Sequence, residues 1–149
     1  MSQVTGADSA RNAKIEISLN GSSWTDISGA ANTLNVTGGG RMTAETYTFD
    51  GDNAIVTVGK SQPADIACTF VYTEGGSDAF ETLRPAWENG SDVWVRWWPR
   101  GGQTGEFGFT SGPGKLSSFT YPSIDAGTAA ASMGGFTLHS TKPVKSVAA

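Results

Sequence analysis

The sequence has one cysteine, one histidine and few charges (16% of its 149 residues). With Cys68 alone, no internal disulfide can form, and one histidine with one cysteine cannot build a typical zinc site. Long apolar runs are missing as well. No segment approaches the roughly 20 apolar residues that span a bilayer. The opening MSQVTGADSARNAKIEISLNG lacks the apolar stretch of a secretory signal. The expectation is a chain that matures in a reducing cytoplasm, with the sequons at Asn20, Asn35 and Asn89 unused. Basic clusters are absent too. The net charge is −4, and only Arg96 and Arg100 group together, beside tryptophans. A domain that grips nucleic acid carries a basic stripe. Any DNA that this chain meets is expected to slip past.

The inventory for catalysis is equally short. Cys68 sits among the core positions of a strand, where a thiol is structural. His139 has no evident partner and lies near the end of the last strand. Asp50 and Asp52 flank a turn glycine. Paired acids serve glycosidases, but aspartate is also an ordinary turn residue, and the loop lacks the EF-hand spacing for calcium. Gly101–Gly105 is glycine-rich, yet no Lys-Ser/Thr pair follows, so it is not a phosphate-binding loop. SLNGSSW, residues 18–24, is one residue short of the aspartate box of sialidase propellers and occurs once, so it reads as a hairpin turn. The reading is no catalytic set, no cofactor and no metal.

What the chain does have is glycine (20 residues) with frequent serine and threonine, which fits an all-β domain with many turns. At this length one domain buries roughly 70% of its unfolded surface. Ile15, Ile17 and Leu19 alternate, and Asn20-Gly21 turns the chain into residues 24–27. Residues 33–37 read as a strand, and Gly38-Gly39-Gly40 as a flexible break. Residues 41–59 read as a long hairpin about a type II′ turn at Gly51-Asp52. Tyr47 then pairs with Val56, Phe49 with Ala54 and Glu45 with Val58. One face is mostly apolar and the other mostly threonine. Such a hairpin alone is marginal in water, so it must cover a core or another subunit.

Residues 64–74 are the clearest strand, with Ile66, Cys68, Phe70 and Tyr72 on the core side and a small polar face opposite. Residues 77–90 read as the one helix. Asp78 and Glu81 are spaced as a capping box, Phe80, Leu83 and Trp87 form a buried stripe, and Gly90 stops it. Pro85 predicts a kink or break near Arg84. DVWVRWW, residues 92–98, is apolar on both faces, so it is covered from both sides. Residues 106–110 and 115–121 read as paired strands around a turn at 111–114, residues 123–135 as a loop, and 136–140 as a last strand. Residues 1–13 and 141–149 read as terminal arms. Trp94, Trp97 and Trp98 could form a sugar-stacking platform of a carbohydrate-binding or adhesion module. The other reading is packing, with Trp97 on the helix stripe and Trp94 and Trp98 under a loop or neighbouring chain. Packing is favoured.

Several segments, in this order and spacing, resemble one family. They are the Thr-Gly-Gly break before Arg41, the Tyr-Thr-Phe-Asp-Gly-Asp hairpin, the Val-Tyr-Thr-Glu strand end with the helix after it, and the Arg-Trp-Trp-Pro-Arg-Gly-Gly turn. Together they are similar to the tail tube protein (major tail protein) of long-tailed, non-contractile bacteriophages. The resemblance runs from about Thr37 to the last strand. It implies a single tail-tube domain over 1–149, mainly β, a β-sandwich or split barrel with one flanking helix and a long projecting hairpin. It implies a structural virion protein, not an enzyme, assembled in the host bacterial cytoplasm into stacked hexameric rings that form the conduit for DNA delivery. Its partners would be further copies, tape-measure, tail terminator and tail tip proteins, with DNA passing unbound and no membrane. The hairpin would then dock on a neighbouring copy through Arg41, Tyr47, Phe49, Asp50, Asp52, Val56 and Val58. Glu45, Asp65, Thr69 and Thr73 are the candidate lumen residues.

Overall fold

The computed structural model describes residues 3, 5–7, 9, 11–76 and 78–149. The expected arm over 1–13 and the helix start at Ser77 fall partly outside the described residues. Among the described residues, ten strands and one helix follow in chain order: β1 Lys14–Ser18, β2 Thr25–Asp26, β3 Ala31–Gly38, β4 Arg41–Thr46, β5 Ile55–Ser61, β6 Ala64–Val71, α1 Ala79–Asn89, β7 Val93–Trp98, β8 Phe107–Thr120, β9 Met133–Ser140 and β10 Val144–Val147. Every pairing is antiparallel. The main path runs β2-β1-β7-β8-β9-β6-β3, with β10 also on β8, and β4 pairs only with β5. The path is open between β2 and β3, which makes a split barrel, mainly β, with one helix at its flank.

β8 joins the two halves. Its first part pairs with β7 and β10, and Lys115–Thr120 pairs with β9. The sequence reading placed a turn at 111–114, and the structure runs one strand straight through it. One side of this stretch faces β7, and Thr141 meets it on the other through hydrogen bonds with Ser111 and Gly112. Ser111 lies opposite Val95 and Gly114 opposite Val93, with a register shift between them, and the Gly112 N–H donates to the Thr141 hydroxyl at 3.2 Å, so the stretch passes as an irregularity within the strand and no turn is needed. Gly112 has φ +148 beneath the Trp94 ring, where a Cβ would overlap it. The terminal segment is likewise not a free arm over its whole length. β10 pairs Val144 with Thr110 and Val147 with Phe107. Its alternation is too short to read beside Pro143.

Both halves feed one core. Ile17, Val93 and Val95 come from one sheet, Ile66, Cys68, Phe70, Leu116, Phe119, Phe136 and Leu138 from the other, and Ala79, Phe80, Leu83 and Ala86 from α1. Phe80 packs at 5.2 Å from Phe119 and edge-on at 5.0 Å to Tyr72, while Trp87 stacks at 6.4 Å on Phe119. The helix does not break at Pro85. The ring faces solvent, and Arg84 bridges Glu81 and Glu88 along the outer side. The capping box does not form. The Asp78 side chain accepts from the Gly75 N–H at 3.0 Å, and Glu81 is engaged by Arg84. Gly90, at φ +65, ends the helix in the left-handed conformation.

Candidate assembly surfaces

The ribbon of β4 and β5 is a continuation of the β3–β6 ladder. Gly38 pairs with Ala64, the Gly39 N–H donates to the Pro63 carbonyl, the Gln62 N–H donates to the Gly40 carbonyl, and Arg41 then pairs with Ser61. One long two-stranded ribbon therefore starts in the body and leaves it at the glycine run. Gly38 and Gly39 take φ of +78 and +75, and a Cβ on Gly38 would lie 2.9 Å from the Pro63 carbonyl oxygen. That is why glycine stands at 38 and 39. They mark a hydrogen-bonded exit point, where the sequence suggested a flexible break.

Beyond it the ribbon covers nothing among the described residues. Met42, Tyr47, Phe49, Ile55, Val56 and Val58 are all exposed, Tyr47 at 72% and Phe49 completely. The register differs from the sequence reading. Glu45 lies opposite Val56 and Thr43 opposite Val58, with residues 47–54 outside the ladder. The slip is two residues, so side chains keep their faces. The two-residue turn is replaced by a wide loop. Gly51 has positive φ within it, and the Thr48 hydroxyl donates to the Asp50 carbonyl at 2.6 Å. Asp50 and Asp52 stand in this exposed loop, and Arg41 is exposed at the ribbon's root.

A second surface is the outer face of the β8-β9-β6-β3 half. Thr33, Asn35 and Thr37 on β3 lie beside Thr69, Ala67 and Asp65 on β6, which lie beside Gly135, Thr137 and His139 on β9. The Thr33 and Thr69 hydroxyls are 2.6 Å apart. Thr73 is exposed just past the end of β6, and Glu45 is exposed on the ribbon. So Asp65 and Thr69 share one small polar face, and the structure places Glu45 and Thr73 outside that sheet. His139 has a partner after all: its Nδ1 is 2.7 Å from the Asp65 carboxylate. The two are 74 residues apart, and only strand pairing brings them together.

Among the described residues, the edges of this half are bare of strands. β3 pairs on one side only, with β6, and Lys115–Thr120 of β8 pairs only with β9. Unpaired edge N–H and C=O groups are templates for strand addition.

The tryptophans are not a platform. Trp98 is buried, and its indole N–H donates to Glu16 at 3.0 Å. Glu16 is itself buried and takes Arg96 at 3.0 Å. The Arg96 guanidinium lies 4.2 Å over Trp24 and 5.5 Å over Trp98. Trp94 stands over Gly21 and Gly112. Trp97 packs with Phe109 at 5.9 Å and against the edge of the core cluster. Gly108 and Gly102 leave the room that the Trp98 ring fills. Burial pushes the Cys68 thiol up to about 12, the mark of an inert core cysteine. His139 and Ser140 are strand neighbours and face opposite sides, one exposed and one buried, so they form no nucleophile–base pair. Among the described residues no group of three or more His, Cys, Asp or Glu is placed to hold a metal. No described helix is long and apolar enough to cross a membrane.

Neither protein-family profiles nor curated protein sequences match the chain. Solved structures do. A chain of the tail of an empty gene transfer agent particle, refined with C6 symmetry, superposes with TM-score 0.68 at 14% identity, over 96% of this chain and 100% of that one. The SPP1 tail tube superposes with TM-score 0.66 at 15% identity, over 95% and 80%. The chain shares the fold of the SPP1 tail tube. A third match is a chain of the extended sheath–tube complex of the PVC extracellular contractile injection system, with TM-score 0.64 at 15% identity over 97% and 94%. This split barrel with one flanking helix is thus the architecture found in tail and injection assemblies, as the resemblance in the sequence implied.

Proposed function

We propose that the chain is a structural subunit of a phage-type tail tube. Six copies form a ring, rings stack into a hollow tube, and DNA passes along the lumen during delivery. The observation that carries this reading is the β3–β6 ladder, which runs out of its own domain and exposes Tyr47, Phe49, Val56 and Val58 with nothing of its own to cover. The ribbon lies on a copy in the next ring, with Arg41, Asp50 and Asp52 at the margin of that contact. Contact of this head-to-tail kind does not close on itself and builds a filament.

Within a ring, the bare edge of β3 adds to the bare edge of Lys115–Thr120 in the adjacent copy, which closes a continuous barrel. Its polar face, with Asp65 and Thr69, lines the lumen, and Glu45 and Thr73 lie toward its ends. Few cations face the passing phosphates, so DNA slides. The order of six is supported by the C6 symmetry of the gene transfer agent tail that shares the fold. Tape-measure, terminator and tip proteins are the expected partners at the lumen and the tube ends. Assembly takes place in the host cytoplasm, and the product is the virion tail.

Negative-stain microscopy of the purified chain at rising concentration, with and without a tail-tip initiator, is the test. Tubes or stacked rings of six-fold symmetry are expected. A chain that stays monodisperse under both conditions overturns the reading.

A further inference from the structure

All the charge on the polar sheet face falls in one row. The strand segments 31–38, 64–71, 115–120 and 133–140 contain three ionisable polar side chains besides the core thiol: Asp65, His139 and Lys115. They are consecutive cross-strand partners, since His139 lies opposite Asp65 on one side and Lys115 on the other. The rest of the face is threonine, serine, asparagine and small residues, with the apolar pair Val71 and Met133 at its other end. The row lies at the end where the ribbon leaves the body, one residue from the Gly38–Ala64 pair.

Both basic side chains in the row are already engaged. His139 meets the Asp65 carboxylate at 2.7 Å. The Lys115 ammonium lies 2.8 Å from Asp92, and it donates to the Gly90 carbonyl at the helix end at 2.7 Å. All four side chains are about half exposed, so a polyanion crossing this face would meet them.

We propose that Asp65 and Asp92 are guard residues. Each occupies a basic side chain that would otherwise hold phosphate, which keeps the face that lines the lumen from binding nucleic acid. The idea rests on the tail-tube reading for its purpose, but not for its chemistry. In the formal charge count, which leaves histidine out, two carboxylates and one ammonium give one net negative charge per subunit. With both aspartates amidated, the row carries one net positive charge and an unpaired lysine. Repeated around a ring, that lysine would brake the DNA, because phosphate contacts dominate non-specific affinity.

The test uses the soluble subunit titrated with a short duplex DNA at low salt, followed by amide NMR shifts on β8 and β9. Wild type is expected to show no saturable shift. Asp65→Asn with Asp92→Asn is expected to bind at least about tenfold more tightly, the yield of one new charged hydrogen bond. For one phosphate contact, raising salt from 50 to 200 mM should weaken it about 3.5-fold. Adding Lys115→Ala should abolish the gain. Asp92→Asn alone carries the same test if the double variant does not fold. No gain in affinity, or a gain that survives Lys115→Ala, overturns the proposal. Microscopy of the same variants separates the two ideas. Absence of tubes from wild type would sink the tail-tube reading, and a lysine-dependent gain in the soluble subunit would still uphold the guards.

Discussion

Replacing Tyr47 and Phe49 together by serine should break assembly and spare the subunit. Tyr47 is 72% exposed and Phe49 fully so, so neither contributes to the core of its own chain. Fully burying a large apolar side chain contributes about 1.5–3 kcal/mol. Losing both from a ring-to-ring contact therefore costs up to about 3–6 kcal/mol per subunit. Since 1.4 kcal/mol is a factor of ten, the critical concentration for tube growth should rise about a hundredfold to ten-thousandfold. Subunit stability should change by no more than about 0.5 kcal/mol, as for other surface positions, which is about 1–2 °C in melting temperature. Pelleting across a concentration series gives the first quantity and a circular-dichroism melt gives the second. Tubes growing at the wild-type critical concentration would refute the reasoning. So would a melting temperature many degrees lower, because it would mean that the ribbon packs on its own domain.

Three further outcomes probe the body of the fold. Glu16→Ala leaves Arg96 and the Trp98 N–H without their acceptor and should destabilise the subunit by about 3–5 kcal/mol, the cost of breaking a buried pair from one side, read by urea unfolding. Gly108→Ala drives a methyl group into the Trp98 ring and should cost about 1–3 kcal/mol by overpacking, seen as a lower thermal midpoint. Cys68 makes stability depend on alkaline pH. Its folded thiol stays protonated up to about 12, whereas the unfolded thiol ionises from about 8.5. The unfolded state therefore binds fewer protons in that window, and stability falls as pH rises through it, by about 1.4 kcal/mol per pH unit. Cys68→Ala should remove this component, so the stability difference between wild type and variant should change with pH above about 9 and stay flat below.

Elements with a strong local period were legible. Ile66, Cys68 and Phe70 alternate and point inward, and Phe80 and Leu83 bury one stripe of α1. The ribbon's apolar side chains were readable as lacking cover. Failures arose where the outcome depended on a distant partner. Ser111-Gly112-Pro113-Gly114 has turn chemistry, but β7 and Thr141 hold it within the strand. Asp78 and Glu81 have cap spacing, but Gly75 and Arg84 claim them. The Trp-rich strand reads as a platform or as packing until Glu16, some 80 residues earlier, is found under Arg96 and Trp98. The Asp65–His139–Lys115 row has no signature along the chain, because its members come from three strands.

By itself, the sequence determined which residues alternate, where the one helix lies, and that catalytic, metal and disulfide chemistry have no obvious residues to use. Those properties follow from local periodicity and from the inventory of side chains. Tertiary structure alone decided that β8 is continuous, that the ribbon is an extension of the β3–β6 ladder, and which carboxylate meets which cation. These depend on strand register, and register is set by the sum of cross-strand contacts over the whole sheet, which no short stretch of sequence contains.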